Sequence, residues 1–260
     1  MSPTFSVCIV VRDRTQLVIT AMRSVLASNY SRFELVVVDD GSTIALSDAL
    51  RTTELPQDPR VRVIRQAPAG IGRARNVALH AASGEFVTVL DSDDELLPDG
   101  LTRLAQLIER KPCDWVYTDY EEVRRGVRTT IRLPAYASPE SMLLAVLMRP
   151  RLPFKHSGTT IRRELLLALG GYDEALRIKV DVELMLRALR QGVQPVHLAE
   201  PVVLFRHHGS NLSRRRMQGI RTWLELIDVY APRRPGVRTV AKAVRVGSEL
   251  GKWLVSIGTS

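Results

Sequence analysis

The stretch "VTVLDSDDELLP" runs from an apolar segment straight into Asp91, Asp93, Asp94 and Glu95, with Ser92 between the first two. Carboxylates this close repel one another and are stable together only with a cation or a network of donors among them. A divalent metal ion resolves the repulsion. Mg²⁺ and Mn²⁺ prefer oxygen ligands, and Mg²⁺ in particular is usually held by one or two carboxylates plus substrate phosphates. The chemistry implied is the handling of a diphosphate. Two more polar clusters follow apolar runs: Arg12 with Asp13, and the "DDGS" of Asp39, Asp40, Gly41 and Ser42. Taken alone, each reads as a turn or as the cap of a following helix. Late in the chain "FRHHGSNLS" supplies imidazoles, which can complete a Mn²⁺ shell begun by carboxylates. His208 is favoured by its spacing to Ser210 and Ser213, with His207 second, and a histidine pair on a surface loop is the plain alternative. His80, His156 and His197 lack such partners and read as structural.

Elements must hold these groups. Runs rich in Val and Ile at 5–11, 33–39, 61–65, 85–90 and 114–119 alternate with helical patterns, among them "TQLVITAMRSVLAS" and "GIGRARNVALHAA". The runs at 5–11, 33–39 and 85–90 are apolar at nearly every position, which predicts strands buried on both faces in a parallel sheet covered by helices. In such sheets ligands bind just beyond the carboxyl ends of the strands, where the acids lie. After residue 120 the rhythm changes: "EEVRRGVRTTIRL" predicts a hairpin turning at Gly126, Ser138 caps a helix, and "KHSGTTIRRELLLALGGYD" joins a strand to a helix ended by Gly170.

Composition sets the outer limits. A chain of 260 residues with 45% hydrophobic residues buries one large core, or one core with a lobe attached. No run of apolar residues predicts a membrane span or a secretory signal, and Cys8 and Cys113 lack metal-ligand spacing and read as reduced thiols, so a cytoplasmic protein is expected. The net charge of +9 suits anionic partners, and much of it falls late in the chain, where a basic amphipathic pattern fits either a helix packed on the core or one lying on an anionic membrane. "GIGRARN" lacks the third glycine of a dinucleotide fingerprint, and neither a phosphate-binding G-x-x-x-x-G-K-[ST] loop nor a G-x-S-x-G nucleophile elbow occurs.

As a set, "FSVCIVVRDR", "FELVVVDDGST", "GIGRARNVALHAASGEFVTVLDSDDELLPDGL", "GGYDEAL", "VDVELMLRAL" and "FRHHGSNLS" resemble, in order and spacing, the family 2 glycosyltransferases of GT-A fold, over residues 5 to about 213. The resemblance implies an α/β fold with a mostly parallel doubly wound sheet flanked by helices, a smaller acceptor-side region and a C-terminal helical segment. It divides the chain into a nucleotide-sugar half (1–120), an acceptor and catalytic-base half of the same domain (121–213) and a basic helical extension (214–260). It further implies an inverting, metal-dependent transfer from a nucleotide sugar, most often a UDP-sugar, to an acceptor hydroxyl, with Mn²⁺ or Mg²⁺ and without a nucleic-acid partner. Asp91-Ser92-Asp93 then form the DxD motif, with Asp94 sharing the metal beside His208. Asp40 corresponds to the acid that pairs with the nucleobase, Arg75 to a basic residue near base and acids, and Asp13 stands where the family usually has Asn. Val10 and Val11 replace a polar pair, which leaves base contacts to backbone groups. Asp181 corresponds to the general base at the start of a helix over 181–191, Val180 replaces the usual Glu before it, and Glu183 is the fallback. Two other readings fit the same residues: a membrane-surface transferase with a lipid-linked acceptor and 214–260 on the membrane, and a non-catalytic nucleotide-sugar or polyanion binder.

Overall fold

The computed structural model describes residues 2–124, 126–206 and 216–257, with the side chains at 56, 216, 217 and 252–257 outside that description. His207, His208, Ser210 and Ser213 lie outside the described residues. The chain forms two compact units. The first comprises Met1–Ala135, Phe154–Arg177 and Pro195–His207, and the second Tyr136–Pro153, Ile178–Gln194 and His208–Ser260. Each is therefore assembled from separated stretches, and residue 120 lies inside a strand rather than between bodies.

The first unit contains the whole sheet. Its strands are β1 (Phe5–Val11), β2 (Phe33–Asp39), β3 (Val61–Arg65), β4 (Phe86–Asp91), β5 (Glu95–Leu96), β6 (Trp115–Arg124), β7 (Val127–Ile131), β8 (Thr160–Arg162) and β9 (Val196–Arg206), in the order β3-β2-β1-β4-β8-β6-β9-β5, with β7 paired to β6. Helices α1 (Thr15–Leu26), α2 (Leu46–Leu50), α3 (Ile71–Ala81) and α4 (Gly100–Arg110) follow β1, β2, β3 and β5, and α6 (Arg163–Ala168) follows β8. The pairings β3-β2-β1-β4 are parallel, as continuous burial of β1, β2 and β4 predicts. Beyond β4 the sheet is mixed: β8 runs antiparallel to β4 and β6, whereas β9 is parallel to β6 across a bulge at Thr118–Tyr120. The long strand β9 carries no alternation that marks it in the sequence, because Pro201 and Glu200 interrupt its apolar residues.

Two predicted turns are present. Gly126 has φ +78° between β6 and β7, and Gly170 has φ +84° just past α6. Both positions favour glycine because a Cβ is disfavoured there.

The second unit is helical: α5 (Pro139–Met148), α7 (Val180–Arg190), α8 (Arg216–Tyr230) and α9 (Val237–Ile257). Ser138 caps α5 as expected, in a reciprocal capping box with Ser141. Two cations of the basic late segment are turned to protein partners. Arg245 is buried, stacks over Trp223 at 3.8 Å and donates to the carbonyls of Leu147 and Val146 at the end of α5, while Lys242 pairs with Asp228 at 2.7 Å. Among the described residues, no helix is long and apolar enough to cross a membrane.

Candidate functional site

Three parallel strands, β2, β1 and β4, end side by side, and their carboxyl ends bring Asp39 and Asp40, Arg12 to Arg14, and Asp91 to Asp94 to one edge of the first unit. The register sets Val10 opposite both Val38 and Asp91. Val10 lines a cleft with Ile71, Arg75, Ala78, Asp91 and Tyr172, whereas Val11 is buried. Cys8 is also buried on that wall, where burial pushes its thiol up to about 12 and leaves it inert, in keeping with a core residue.

At the end of β2 every acidic oxygen meets amides. Asp39 accepts from the backbone N–H of Ser42 at 2.8 Å and of Leu46 at 3.0 Å. Burial acts against its charge, but these hydrogen bonds outweigh it and hold its pKa below the usual carboxylate range. Asp40 accepts from Gln66 Nε2 at 2.7 Å and from the backbone N–H of Ala69 and Gly70 at 2.8 and 2.9 Å. A carboxylate offers about four acceptor positions, so Asp40 has little capacity left for a base and mainly holds the 66–70 loop in place. Gly41, φ +70°, is required here, because a Cβ would come within 2.4 Å of the Pro68 ring. Asp13 has a left-handed backbone (φ +54°), and its carboxylate accepts from Thr43 N–H at 2.7 Å while its own N–H donates to Ser42 Oγ. It thereby ties the β1–α1 turn to the β2–α2 loop, and the Thr43 bond lowers its pKa.

The end of β4 is built differently. Asp91 faces Arg75, whose Nη2 lies 3.2 Å from its carboxylate and whose guanidinium sits over the Tyr172 ring at 5.4 Å. Asp93 is held by Arg14 at 2.7 Å. Ser92 and Asp94 are buried. Asp94 is 1% exposed, and among the described residues neither of its carboxylate oxygens has a hydrogen-bond partner of ordinary geometry. Burial and then the neighbouring Asp91 charge push it up to about 7, against the opposing pull of Lys155 and the Ser157 hydroxyl.

Residues that sequence reasoning did not single out complete this edge. Segment 155–158 runs antiparallel to β4, with Gly158 N–H bonded to Val89 O at 2.8 Å and Val89 N–H to Thr159 O at 2.9 Å. Gly158 has a positive φ of 87°, which favours glycine, and a Cβ there would also crowd Thr118 and Val203 at 3.2 Å. The Asp91 N–H then donates to Ser157 Oγ at 3.2 Å. His156, expected to be structural and without partners, is buried behind the site with Nε2 3.4 Å from the Tyr172 hydroxyl, and burial, then the charges of Arg75 and Lys155, keep it neutral. His197 also has a partner the sequence did not suggest, Asp119 at 2.7 Å, and its ring stacks on Tyr117. His80 bonds the Asn76 carbonyl within α3. Only the family motif "ARN" pointed to Arg75, and no local rule pointed to Arg14, Ser157 or Tyr172, because contacts between residues distant in sequence rather than spacing bring them in.

The donor set suits a hard divalent cation, and the buried, unpartnered Asp94 carboxylate is the kind of group such an ion would satisfy. Among the described residues no three His, Cys, Asp or Glu side chains are arranged to hold one by themselves, and Arg14 and Arg75 pair with the carboxylates of Asp93 and Asp91.

In the second unit Asp181 and Glu183 lie in the first turn of α7. The helix begins at Val180 and its N-cap is Lys179, left-handed at φ +59°, so Asp181 does not fill the capping position that was its bland alternative. Asp181 is part-exposed and has no hydrogen bond or ion pair among the described residues. Glu183 is committed elsewhere: it is buried, receives both Arg187 Nε and Nη2 at 2.8 and 2.9 Å, and accepts from the Tyr230 hydroxyl at 2.5 Å. A carboxylate held this way is a tether, which removes the fallback base.

Comparison with known proteins sharpens these observations. The family model described as glycosyl transferase family 2 matches residues 6–170. The succinoglycan biosynthesis protein ExoO of Rhizobium meliloti is 36% identical over 188 residues, 67% of this chain and 52% of that protein. The crystal structure of S. aureus TarS 1-349 in complex with UDP-GlcNAc superposes with a TM-score of 0.70 at 20% identity, covering 95% of this chain and 73% of that one. Mannosyltransferase PcManGT from Pyrobaculum calidifontis, in complex with GDP-Man and Mn²⁺, gives 0.68 at 16% identity over 100% of this chain and 76% of that one. The chain spans between 12% and 64% of the lengths of the curated relatives compared. The α/β fold with its mixed sheet is thus the GT-A fold. The family model covers well over half of the chain and includes the ends of β1, β2 and β4 with their acids from Asp13 to Asp94, so this protein belongs to glycosyl transferase family 2.

Proposed function

We propose that this protein transfers a sugar from a nucleoside diphosphate sugar to an acceptor hydroxyl with inversion. The observation that carries the reading is the end of β4, where a buried carboxylate, Asp94, with no hydrogen bond of ordinary geometry among the described residues, lies beside two others neutralised by arginines, at the edge of a parallel sheet where ligands bind. In the reaction the bond between the anomeric carbon and the phosphate oxygen breaks and its electron pair leaves with the diphosphate. The acceptor oxygen forms the new bond from the opposite face and gives its proton to a base.

Asp91, Asp93 and Asp94 are the residues that would hold a divalent cation, Mn²⁺ or Mg²⁺, which when bound supplies a Lewis acid for the charge on the departing diphosphate. Arg75 orients Asp91. Val10, the backbone around Val11 and the 66–70 loop fastened by Asp40 would line the nucleobase, and Asp13 fixes the neighbouring β2–α2 loop through Thr43 and Ser42 rather than the ligand. Asp181 is the proposed base on the strength of the family resemblance and of its carboxylate having no other commitment among the described residues. His208 stays a candidate ligand by resemblance alone. UDP is the first nucleotide to test, since TarS was crystallised with UDP-GlcNAc, and GDP the second, since PcManGT was crystallised with GDP-Man.

Calorimetric titration of UDP and GDP in Mn²⁺ and again in excess chelator tests the donor reading. Binding of either nucleotide that disappears with chelator supports it, and equal heats in both conditions count against it. Asp181→Asn should retain that binding while losing about 100- to 10,000-fold in turnover, and full turnover by the variant rejects the base.

A further inference from the structure

Arg14 is the wrong residue for its place in the local structure. It occupies the N-cap of α1 and makes no side-chain cap there. That position favours Ser, Thr, Asp or Asn, and the positive end of a helix dipole disfavours a nearby cation. Tertiary structure explains the choice: the Arg14 guanidinium reaches across 79 residues of sequence to Asp93 at 2.7 Å. The β1–α1 turn that aims it is fastened by the left-handed Asp13 on Thr43 and Ser42. The arginine side chain remains 36% exposed whereas Asp93 is 13% exposed, so Arg14 is free to swing out while the carboxylate stays in place.

Resting on the donor reading above, we propose that Arg14 is an internal counter-cation. It neutralises Asp93 while the site is empty, yields that carboxylate to the divalent cation, and then binds the diphosphate oxygens of the nucleotide. Three acids at the end of β4 are crowded, and one of them, Asp94, is already buried with no hydrogen bond of ordinary geometry among the described residues. Leaving Asp93 unpaired as well would add to the repulsion, so an arginine on Asp93 keeps the empty site folded. A planar guanidinium suits both partners, because carboxylate and phosphate present the same bidentate spacing of oxygens. Arg75 does not share this role, since it is buried against Tyr172 and has little room to leave Asp91.

The proposal makes opposite predictions for two ligands. Mn²⁺ alone, followed by electron paramagnetic resonance, should bind Arg14→Met about two- to fivefold more tightly than the wild type, because a half-exposed ion pair no longer competes. UDP added to the Mn²⁺-saturated protein should bind Arg14→Met at least about tenfold more weakly by calorimetry, through loss of a charged hydrogen bond. Arg14→Lys, which keeps the charge, should hold Mn²⁺ affinity close to that of the wild type. Arg14→Gln repeats both titrations with a polar group at the helix start should Arg14→Met lower the melting temperature. An arginine that serves only to stabilise the fold would move neither affinity in this opposed way. Unchanged or weakened Mn²⁺ affinity in both neutral variants, or unchanged UDP affinity, overturns the role of Arg14 while leaving the donor reading intact. A wild-type protein that binds neither UDP nor GDP with any divalent cation overturns the donor reading and this inference together.

Discussion

The ends of β2 and β4 lie on either side of β1 and both carry adjacent acids, yet they are built to opposite purposes. At β2, Asp39 and Asp40 accept five hydrogen bonds in all, four from backbone N–H groups and one from the Gln66 amide. At β4, Asp91 and Asp93 face arginine side chains, and Asp94 has no hydrogen bond of ordinary geometry among the described residues. Backbone amides cannot leave without unfolding a loop, whereas a guanidinium leaves by rotating a few side-chain bonds. One cluster is therefore a fastening and the other a site kept ready for exchange, and the sequence patterns "VVDDGS" and "VLDSDD" look alike only because chemistry at the residue level does not record who the partners are.

The comparison is open to direct test, and the largest effect falls on the fastening. Asp39→Ala strips acceptors from two buried N–H groups and should cost about 2–6 kcal/mol of stability, read from urea unfolding at pH 7. A loss under 1 kcal/mol would place Asp39 among the exchangeable acids.

Asp94 should behave in the reverse sense. Its carboxyl is raised in the folded chain from 3.8 to about 7, so between those values the folded state binds more protons than the unfolded state, and stability falls as pH rises through the window. Without divalent cation the fall should approach, as an upper limit, about 4 kcal/mol between pH 4 and pH 8. Asp94→Asn should remove that component of the slope, and Mn²⁺ should restore stability at pH 8 in the wild type but not in the variant. A wild-type slope identical to that of Asp94→Asn would show that the fold does not raise this carboxyl.

Smaller effects separate the two clusters further. Asp40→Asn, which replaces one of the two acceptor oxygens with an amide donor and so opposes either the Gly70 N–H or the Ala69 N–H, should lower stability by about 1–3 kcal/mol and loosen the nucleotide only through the displaced loop. Asp93→Asn should change stability by no more than about 1 kcal/mol, since it removes one partly exposed ion pair, yet should abolish chelator-sensitive UDP binding. Unaltered calorimetric affinity in Asp93→Asn would make the β4 acids a second fastening and erase the distinction.

The second unit repeats the lesson within one helical turn. Asp181 and Glu183 are two residues apart on α7 and indistinguishable by type, but Glu183 is closed off by Arg187 and Tyr230 while Asp181 has no bond among the described residues. A tyrosine 47 residues away in sequence makes that difference, and burial together with Glu183 pushes its hydroxyl up beyond the usual range.

What the sequence by itself determined is local and periodic. Continuous apolar runs specified β1, β2 and β4 as parallel interior strands, since no other placement hides both faces. Turn glycines at 126 and 170 and the cap at Ser138 announced their own conformations, and the order of motifs declared the family. Tertiary structure alone decided which acids are bound and which are available. Arg14, Gln66 and Tyr230 reach their carboxylates across 79, 26 and 47 residues of chain, Ser157 accepts from the Asp91 backbone N–H across 66, and such contacts leave no period or spacing to read. For the same reason the helices of the second unit, drawn from three separated stretches, form a body that no division of the sequence into consecutive blocks describes. Secondary structure follows from neighbours in the chain, whereas the charge state and freedom of a side chain follow from neighbours in space.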